Sequence, residues 1–495
     1  MDLCDELLEE VLRRLPSSSS SADVSLVSKR WLRLYRSTRT TLSLRLSPDN
    51  CTPHSLSSFL SLFPNLSYLS VTINGRDRVS SFPDQILLSF ASSRPKLTVA
   101  SSCPKPARLC LQPEPVSHFP LLSLSTSFPH LTSLDIALHR PFNFYWLLFF
   151  HSLKNLNVSF QYVFEPVYPA CEGNYDGELK LETLSFSGIQ RGDHGLNWLW
   201  KSCKTLKKLQ LTCCGGIGDD TSGSSFVNCL KDLQEVELIH CPRPIRDEIL
   251  LKLVDNCASL SSLLVNDRYA DTTGLRQFIA RSRCNLRKLD LHIFPGCLRE
   301  NDLLAVADKF TGLLSLRLCD FSFDTGGEGL KTKMLAMSNE LEELALVYCN
   351  WEPGLLTTLG QKFRNLKKLD LSFNRWMAEE EFISMLVSCK FLTELKLRWC
   401  EGLTNASLVS MFKSCKQLES LDIRDCPGIG AESVELFVLN SSRLRQITVE
   451  ESKISHVSRS WLQRSRSNGQ LCFFGVPNPC KLCYPKPDTQ TMYLS

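Results

Sequence analysis

No apolar run in this chain reaches the roughly 20 residues that a helix needs to cross a bilayer. The densest cluster, FYWLLFF at Phe144–Phe150, is far shorter. The opening MDLCDELLEEVLRRL is acidic and amphipathic, without the basic start, apolar core and cleavage site of an export signal. Charge of one sign is scarce too. The formal net charge is +4 over 495 residues, which implies no nucleic-acid partner. Catalytic fingerprints are missing: no P-loop, no GxSxG, no HExxH and no dinucleotide-binding glycine pattern occurs. These absences argue against a membrane protein, a nucleic-acid binder and an enzyme acting alone. No catalytic residue and no cofactor is expected.

Cysteine, by contrast, is abundant, with 22 residues in a chain that reads as unexported. That combination fits a reducing compartment, the nucleus and/or cytoplasm, with thiols serving as small buried hydrophobes. The one metal-like spacing is Cys480-x-x-Cys483, with Cys472 upstream. A zinc site needs four nitrogen or sulfur ligands, and His456 has no ligand-like spacing to this set, so no metal is expected.

The dominant pattern is a repeat. The unit L-x-x-L-x-(L/I/V), often followed by Cys or Asn three residues later, starts at Leu181, Leu206, Leu233, Leu260, Leu286 and Leu313. It continues at Leu341, Leu366, Leu392, Leu418 and Leu444. Successive starts lie 25–28 residues apart. Cys214, Cys241, Cys349, Cys400 and Cys426 occupy the slot after the alternating segment, and Asn374 fills it once. A second series, Cys203, Cys229, Cys257, Cys284, Cys389 and Cys415, precedes the first leucine of its unit. Asn standing in for Cys points to a small side chain meeting backbone groups at a turn, and the recurrence argues against disulfides.

The alternating segment predicts a short strand with its leucine-type residues pointing inward. The stretch Asn405–Leu418 places Leu408, Val409, Met411, Phe412 and Cys415 at helical spacing. Neither element buries its apolar side alone, so units must stack. The period and pattern resemble the cysteine-containing class of leucine-rich repeats. The resemblance implies an α/β solenoid, a curved parallel sheet inside with helices outside. Regular repeats are expected over residues 181–455, and a C-terminal cap or tail over 456–495.

Residues 47–180 hold less regular units, at Leu66-Leu69-Val71, Leu131-Leu134-Ile136 and Leu153-Leu156-Val158, with long Ser/Pro-rich loops between. One or two degenerate units are expected around Leu109-x-Leu111. Gln161–Glu178 reads as an insertion on one rim, and Phe142–Phe150 as ordinary core.

Residues 1–46 form a separate head. Leu3, Leu7, Leu8, Val11, Leu12 and Leu15 share one face of a helix ending at Pro16. Val24, Val27, Trp31 and Leu34 predict a second amphipathic helix, and Thr41–Leu46 alternates like a strand. A helical head is also what a capping unit of a repeat array looks like. The residue types add more. Leu3, Glu6, Val11, Leu12, Leu15 and Pro16, followed by Leu26, Val27, Lys29 and Trp31, resemble the F-box motif of plant F-box proteins with leucine-rich repeats. Two positions depart from it: Cys4 stands where Pro is usual, and Ser28 where Cys is usual. The resemblance implies a substrate-recognition subunit of a Skp–cullin–F-box ubiquitin ligase. Leu3, Leu7, Leu8, Val11, Leu12, Leu15, Pro16, Leu26, Val27 and Trp31 would then contact a Skp-family adaptor and, through it, a cullin-RING ligase.

The residues flanking the inward leucines line the other side of the strands. There Lys396, Arg398 and Arg424 form a small basic patch that Arg317, His292 and Trp399 extend. A target protein could bind it, since arginine offers a fixed fork of donors. Equally, Asp370, Lys396 and Asp422 alternate in sign across neighbouring strands and need no ligand. Two further readings stand beside the ligase subunit. One is a receptor whose small-molecule ligand completes the target surface, motivated by Gln161–Glu178 and Lys396–Arg424. The other is a repeat scaffold without any ligase role.

Overall fold

The computed structural model describes residues 4–14, 24, 26–49, 52–73, 81–93, 107–140, 142–160, 177–267, 272–293, 300–321, 334–454 and 470–474. It divides into two compact units, Met1–Asn285 and Leu286–Ser495. Each is a leucine-rich-repeat solenoid of the expected α/β class, in which most of the described repeats give one parallel strand, a turn and a helix or short helical segment.

In the first unit the strands are β1 (Thr41–Leu46), β2 (Tyr68–Ile73), β3 (Ala107–Val116), β4 (Leu131–Leu138), β5 (Asn155–Phe160), β6 (Thr183–Ser187), β7 (Lys208–Thr212), β8 (Glu235–Ile239) and β9 (Ser262–Asp267). Each pairs in parallel with the next, and the repeat leucines fall in register: Leu69 faces Leu109, and Leu156 faces Leu184. One strand, β3, occupies the span where the sequence suggested one or two degenerate units. The strands of the second unit are β10 (Lys288–Ile293), β11 (Ser315–Cys319), β12 (Glu343–Val347), β13 (Lys368–Asp370), β14 (Glu394–Lys396), β15 (Ser420–Asp422), β16 (Gln446–Glu450) and β17 (Gln470–Phe474). These too pair with their sequence neighbours, as in Leu395 opposite Leu421. Of the expected tail, β17 alone is described. It adds to β16 with Ile447 opposite Leu471. Residues 161–176, nearly all of the expected insertion, and the cysteines Cys480 and Cys483 lie outside the described residues.

The inward leucine-type residues of the strands and the inner faces of the helices make the core. In β7, Leu209 and Leu211 are buried while Gln210 and Thr212 are half-buried. Each buried aliphatic side chain contributes about 1.5–3 kcal/mol of transfer free energy. In helix Asn405–Ser414, Leu408 and Met411 turn inward, but Val409 and Phe412 are exposed, so the apolar stripe there is wider than the buried one. Phe142, Phe144, Trp146, Leu147 and Phe150 are buried as expected, and Phe149 alone of that cluster's phenylalanines faces outward.

The cysteine slot has a consistent geometry. Cys400 Sγ lies 3.1 Å from Leu371 O of the previous repeat, and Cys426 Sγ lies 3.0 Å from Leu397 O. Cys214, Cys241 and Cys349 point at the equivalent carbonyls of Phe186, Leu211 and Leu318. Asn374 does the same job more completely. Its Nδ2 donates to Leu346 O and Leu371 O, each at 2.7 Å, and its Oδ1 accepts from Cys349 N at 2.7 Å. All the slot cysteines, and those of the second series, are free thiols. Four of the second cysteine series close helices: Cys203, Cys257, Cys389 and Cys415 are the residues just past a helix end, while Cys229 ends a short 3-10 turn.

The residue before this slot is left-handed. Cys213, His240, Asp320, Tyr348, Phe373, Trp399 and Asp425 all have φ between 52° and 67°. An L-residue costs roughly 1–2 kcal/mol there. The backbone is held because its N–H bonds to the next repeat, as Phe373 N does to Arg398 O (2.6 Å) and Trp399 N to Arg424 O (2.9 Å).

The head differs from its sequence reading in two ways. Helix α1 (Asp5–Arg14) does not present its leucines on one surface: Leu8 and Leu12 are buried, whereas Leu7 and Val11 are exposed. Helix α2 begins at Lys29 and ends at Thr38, not at Val24, because the Ser28 side chain caps it by accepting from Trp31 N at 3.1 Å. Leu26 and Val27 therefore sit in a turn.

Candidate functional site

Two surfaces carry the residues singled out by sequence. The first is the head. Leu8, Leu12, Val24, Leu34 and Tyr35 form its small core, with Trp31 packed half-buried against it. Arg30 ties α2 to α1 through Asp5, with Nη2 2.6 Å from Oδ1. Leu8 and Leu12 therefore serve the head's own packing and are not open to a partner. Leu7 and Val11, one helical turn apart, remain exposed, as do Leu26 (86%) and Val27 (58%). Leu3, Leu15 and Pro16 lie outside the described residues.

The second surface is the outward face of the strands in the unit Leu286–Ser495. Here the expected basic patch is neutralised. Arg317 bridges two carboxylates, with Nη1 3.2 Å from Asp370 Oδ2 and Nε 3.6 Å from Asp290 Oδ2. Burial opposes its charge, but Asp370 and Asp290 outweigh burial and hold the guanidinium more firmly protonated than usual. His292 Nε2 approaches Asp290 Oδ1 at 3.0 Å and the Cys319 thiol at 3.3 Å. Burial pushes that thiol well up.

Lys396 stands in register between Asp370 and Asp422, yet its Nζ bonds Glu394 of its own strand at 2.7 Å. Arg424 is clasped by Asp422, two residues away, at 2.5 Å. Arg398 reaches Asp425 at 3.2 Å. For Lys396 and Arg424 the short reach between residues two apart on one face wins over the cross-strand pairing that alternation of sign suggested, whereas Arg317 and Arg398 pair with other repeats. Lys288, Arg317, Lys368, Lys396, Arg398 and Arg424 are matched by Asp290, Glu343, Asp370, Glu394, Asp422 and Glu450, so this face is balanced rather than basic.

Sequence reasoning found Trp399 but missed its setting. Trp399 belongs to the left-handed slot at the strand ends, with Tyr348 and Phe373 in the two preceding repeats. The Phe373 and Trp399 rings lie 6.0 Å apart, the Arg375 guanidinium sits 4.8 Å over Trp399, and that of Arg398 sits 5.4 Å over Phe373. The signal was present as the residue preceding each repeat Cys or Asn, but periodicity marks only what is buried.

Among the described residues no group of three or more His, Cys, Asp or Glu could hold a metal ion, and no helix is long and apolar enough to cross a membrane. Residues 202–220 match the family model described as a leucine-rich repeat. Among solved structures, the chain is similar to one of the Rad7 and Elc1 complex in yeast, at 15% identity over 87% of this chain and 90% of that one, with a TM-score of 0.43. It is also similar to the TLR13–ssRNA13 complex, at 15% identity over 87% of this chain and 61% of that one, with a TM-score of 0.35. Both likenesses are distant and bear on neither partner nor activity.

Proposed function

We propose that this chain is a non-catalytic recognition subunit of a Skp–cullin–F-box ubiquitin ligase, acting in the nucleus or cytoplasm. The head docks on a Skp-family adaptor, and the repeats hold a target protein for ubiquitination. The observation that carries this reading is the head's division of labour. Leu8 and Leu12 satisfy its own core, while Leu7, Val11, Leu26 and Val27 stay exposed on a short two-helix element. Large apolar side chains left in water at an element's outer surface mark a protein contact. Trp31, the last residue of the F-box-like pattern, braces α2 against that core.

A repeat scaffold whose head is only a cap is the second reading, favoured by the completeness of the head's own cluster. Co-expression with a Skp-family adaptor separates the two. The wild-type chain should co-purify with the adaptor, and Leu7→Asp with Val11→Asp should weaken capture at least tenfold, the loss of about 1.4 kcal/mol or more. Both positions are exposed, so circular dichroism of the variant should match wild type. If the wild-type chain does not bind the adaptor, or the double variant binds as well, the ligase reading fails and the cap reading stands.

A further inference from the structure

The residues that follow β11 to β15 lie at the same ends of parallel strands and so on one rim, and after β12 to β15 the chain runs on into a helix. In open parallel sheets, ligands gather at the carboxyl ends of the strands. In this rim the left-handed slot carries Tyr348, Phe373 and Trp399 in consecutive repeats, each locked to the next strand by its backbone N–H. Tyr348 is 48% exposed, Trp399 39% and the nearby Trp376 91%. Rings kept half in water on a costly backbone are not explained by packing of the core.

The charge of the rim differs from that of the balanced strand face. Its turns carry Asp320, Glu352, Glu401 and Asp425 against Arg375, with Arg398 reaching in from a strand end to Asp425, while the equivalent Arg424 is held back on the strand face by Asp422. The rings already accept cations on their faces, from Arg375 over Trp399 and Arg398 over Phe373. The Arg375–Glu401 pair (3.3 Å) is about half-exposed on both sides, and such pairs are weak and readily exchanged. Guanidinium groups stack well on aromatic faces and fork onto carboxylates. In an extended chain, side chains two residues apart lie on one side about 6.6 Å apart, close to the 6.0 Å between the Phe373 and Trp399 rings.

We propose that this aromatic, acidic rim binds an extended arginine-rich segment of a partner protein, alternate arginines stacking on successive rings. The proposal deepens the recognition role above, and it names the site and the chemistry of the partner.

The test uses the full chain and fluorescein-labelled (Arg-Ser)4, with (Glu-Ser)4 and (Pro-Ser)4 as comparisons, read by anisotropy at near-physiological salt. The arginine peptide should bind at least tenfold more tightly than either comparison. Trp376→Ala combined with Trp399→Asn should weaken it about tenfold while leaving the protein's charge unchanged. Asn tolerates the left-handed backbone, and Trp376 is exposed, so the variant should keep the wild-type melting temperature and adaptor capture. Loss of peptide binding with adaptor capture intact locates the effect in the rim rather than the head. Equal binding of the three peptides, preference for the acidic or proline peptide, or undiminished binding by the double variant would overturn the proposal. In the last case the attraction is general electrostatics.

Discussion

Asn374 is where the logic of the repeat is most visible in one side chain. A slot that is Cys in five other repeats must supply a small donor to two carbonyls, one in its own repeat and one in the repeat before. A thiol does this weakly. The amide does it with two aligned hydrogen bonds and also receives one from Cys349 N. Removing it strands three buried backbone groups, each costing about 1–3 kcal/mol when left unsatisfied. Asn374→Ala should therefore lower stability by at least about 2 kcal/mol in urea unfolding, whereas Asn374→Cys, the residue other repeats use, should cost distinctly less. Equal losses for the two variants would mean the slot is merely a place for a small side chain. The same scale explains the strand face. Each of its arginines and Lys396 was visible in the sequence, but which carboxylate each would choose was not. That depends on side-chain reach in three dimensions, and Arg424 taking Asp422 of its own strand is a choice no pattern of signs encodes.

Between elements, repeats are joined by more than strand pairing and leucines. Glu379, in the first turn of helix Glu379–Ser388, accepts from Thr404 N and Ser407 N and from both hydroxyls at the start of the next helix. A carboxylate placed at a helix N-terminus also complements the helix dipole. Burial alone would raise its pKa, but the hydrogen bonds from Ser407 and Thr404 prevail and set it below the ordinary 4.5. A depressed carboxylate stabilises the fold above its unfolded pKa, and that contribution is lost as pH falls through the folded value. Glu379→Gln should thus reduce stability at neutral pH and flatten the acid limb below about pH 4.5 in chemical unfolding followed across pH. An unchanged limb would remove Glu379 from the coupling between repeats. Close approach of helices is arranged by small residues as well. A Cβ on Gly360 would lie 2.8 Å from Met385 Cα of the neighbouring helix, so glycine there serves packing rather than backbone freedom. In the head, the same kind of local detail moved an element boundary. Ser28 capping α2 turned Leu26 and Val27 from helix into exposed turn, a consequence of one hydroxyl that hydrophobic spacing could not reveal.

Across the whole molecule the cysteines behave as a structural set. Burial pushes the thiols of Cys203, Cys349, Cys389 and Cys415 up to about 12, and that of Cys426 up to about 11. They stay protonated and unreactive near neutral pH, since the thiolate is the nucleophile. Brief alkylation of the native chain, mapped by mass spectrometry, should label the exposed Cys4 and Cys213 well ahead of Cys400 and Cys426, while guanidinium should open all 22 to reagent. Early labelling of Cys400 or Cys426 would contradict their place in the core. The repeat, its register and its inward leucines were legible throughout, including the weak unit that became β3, because a solenoid buries the same positions every 25–28 residues and burial leaves a period in the sequence. Pairing of charges, exposure of Leu7 and Val11 beside buried Leu8 and Leu12, and the aromatic rim leave no period. They arise from which side chain meets which in space, within a repeat for Lys396 and Arg424, across repeats for Arg398 and the rim rings, and between two helices in the head. The sequence alone determined what lies between neighbouring repeats, because hydrophobic burial is set by position in the unit. Only the tertiary structure decided what the surfaces offer, because there the outcome turns on which side chain reaches which.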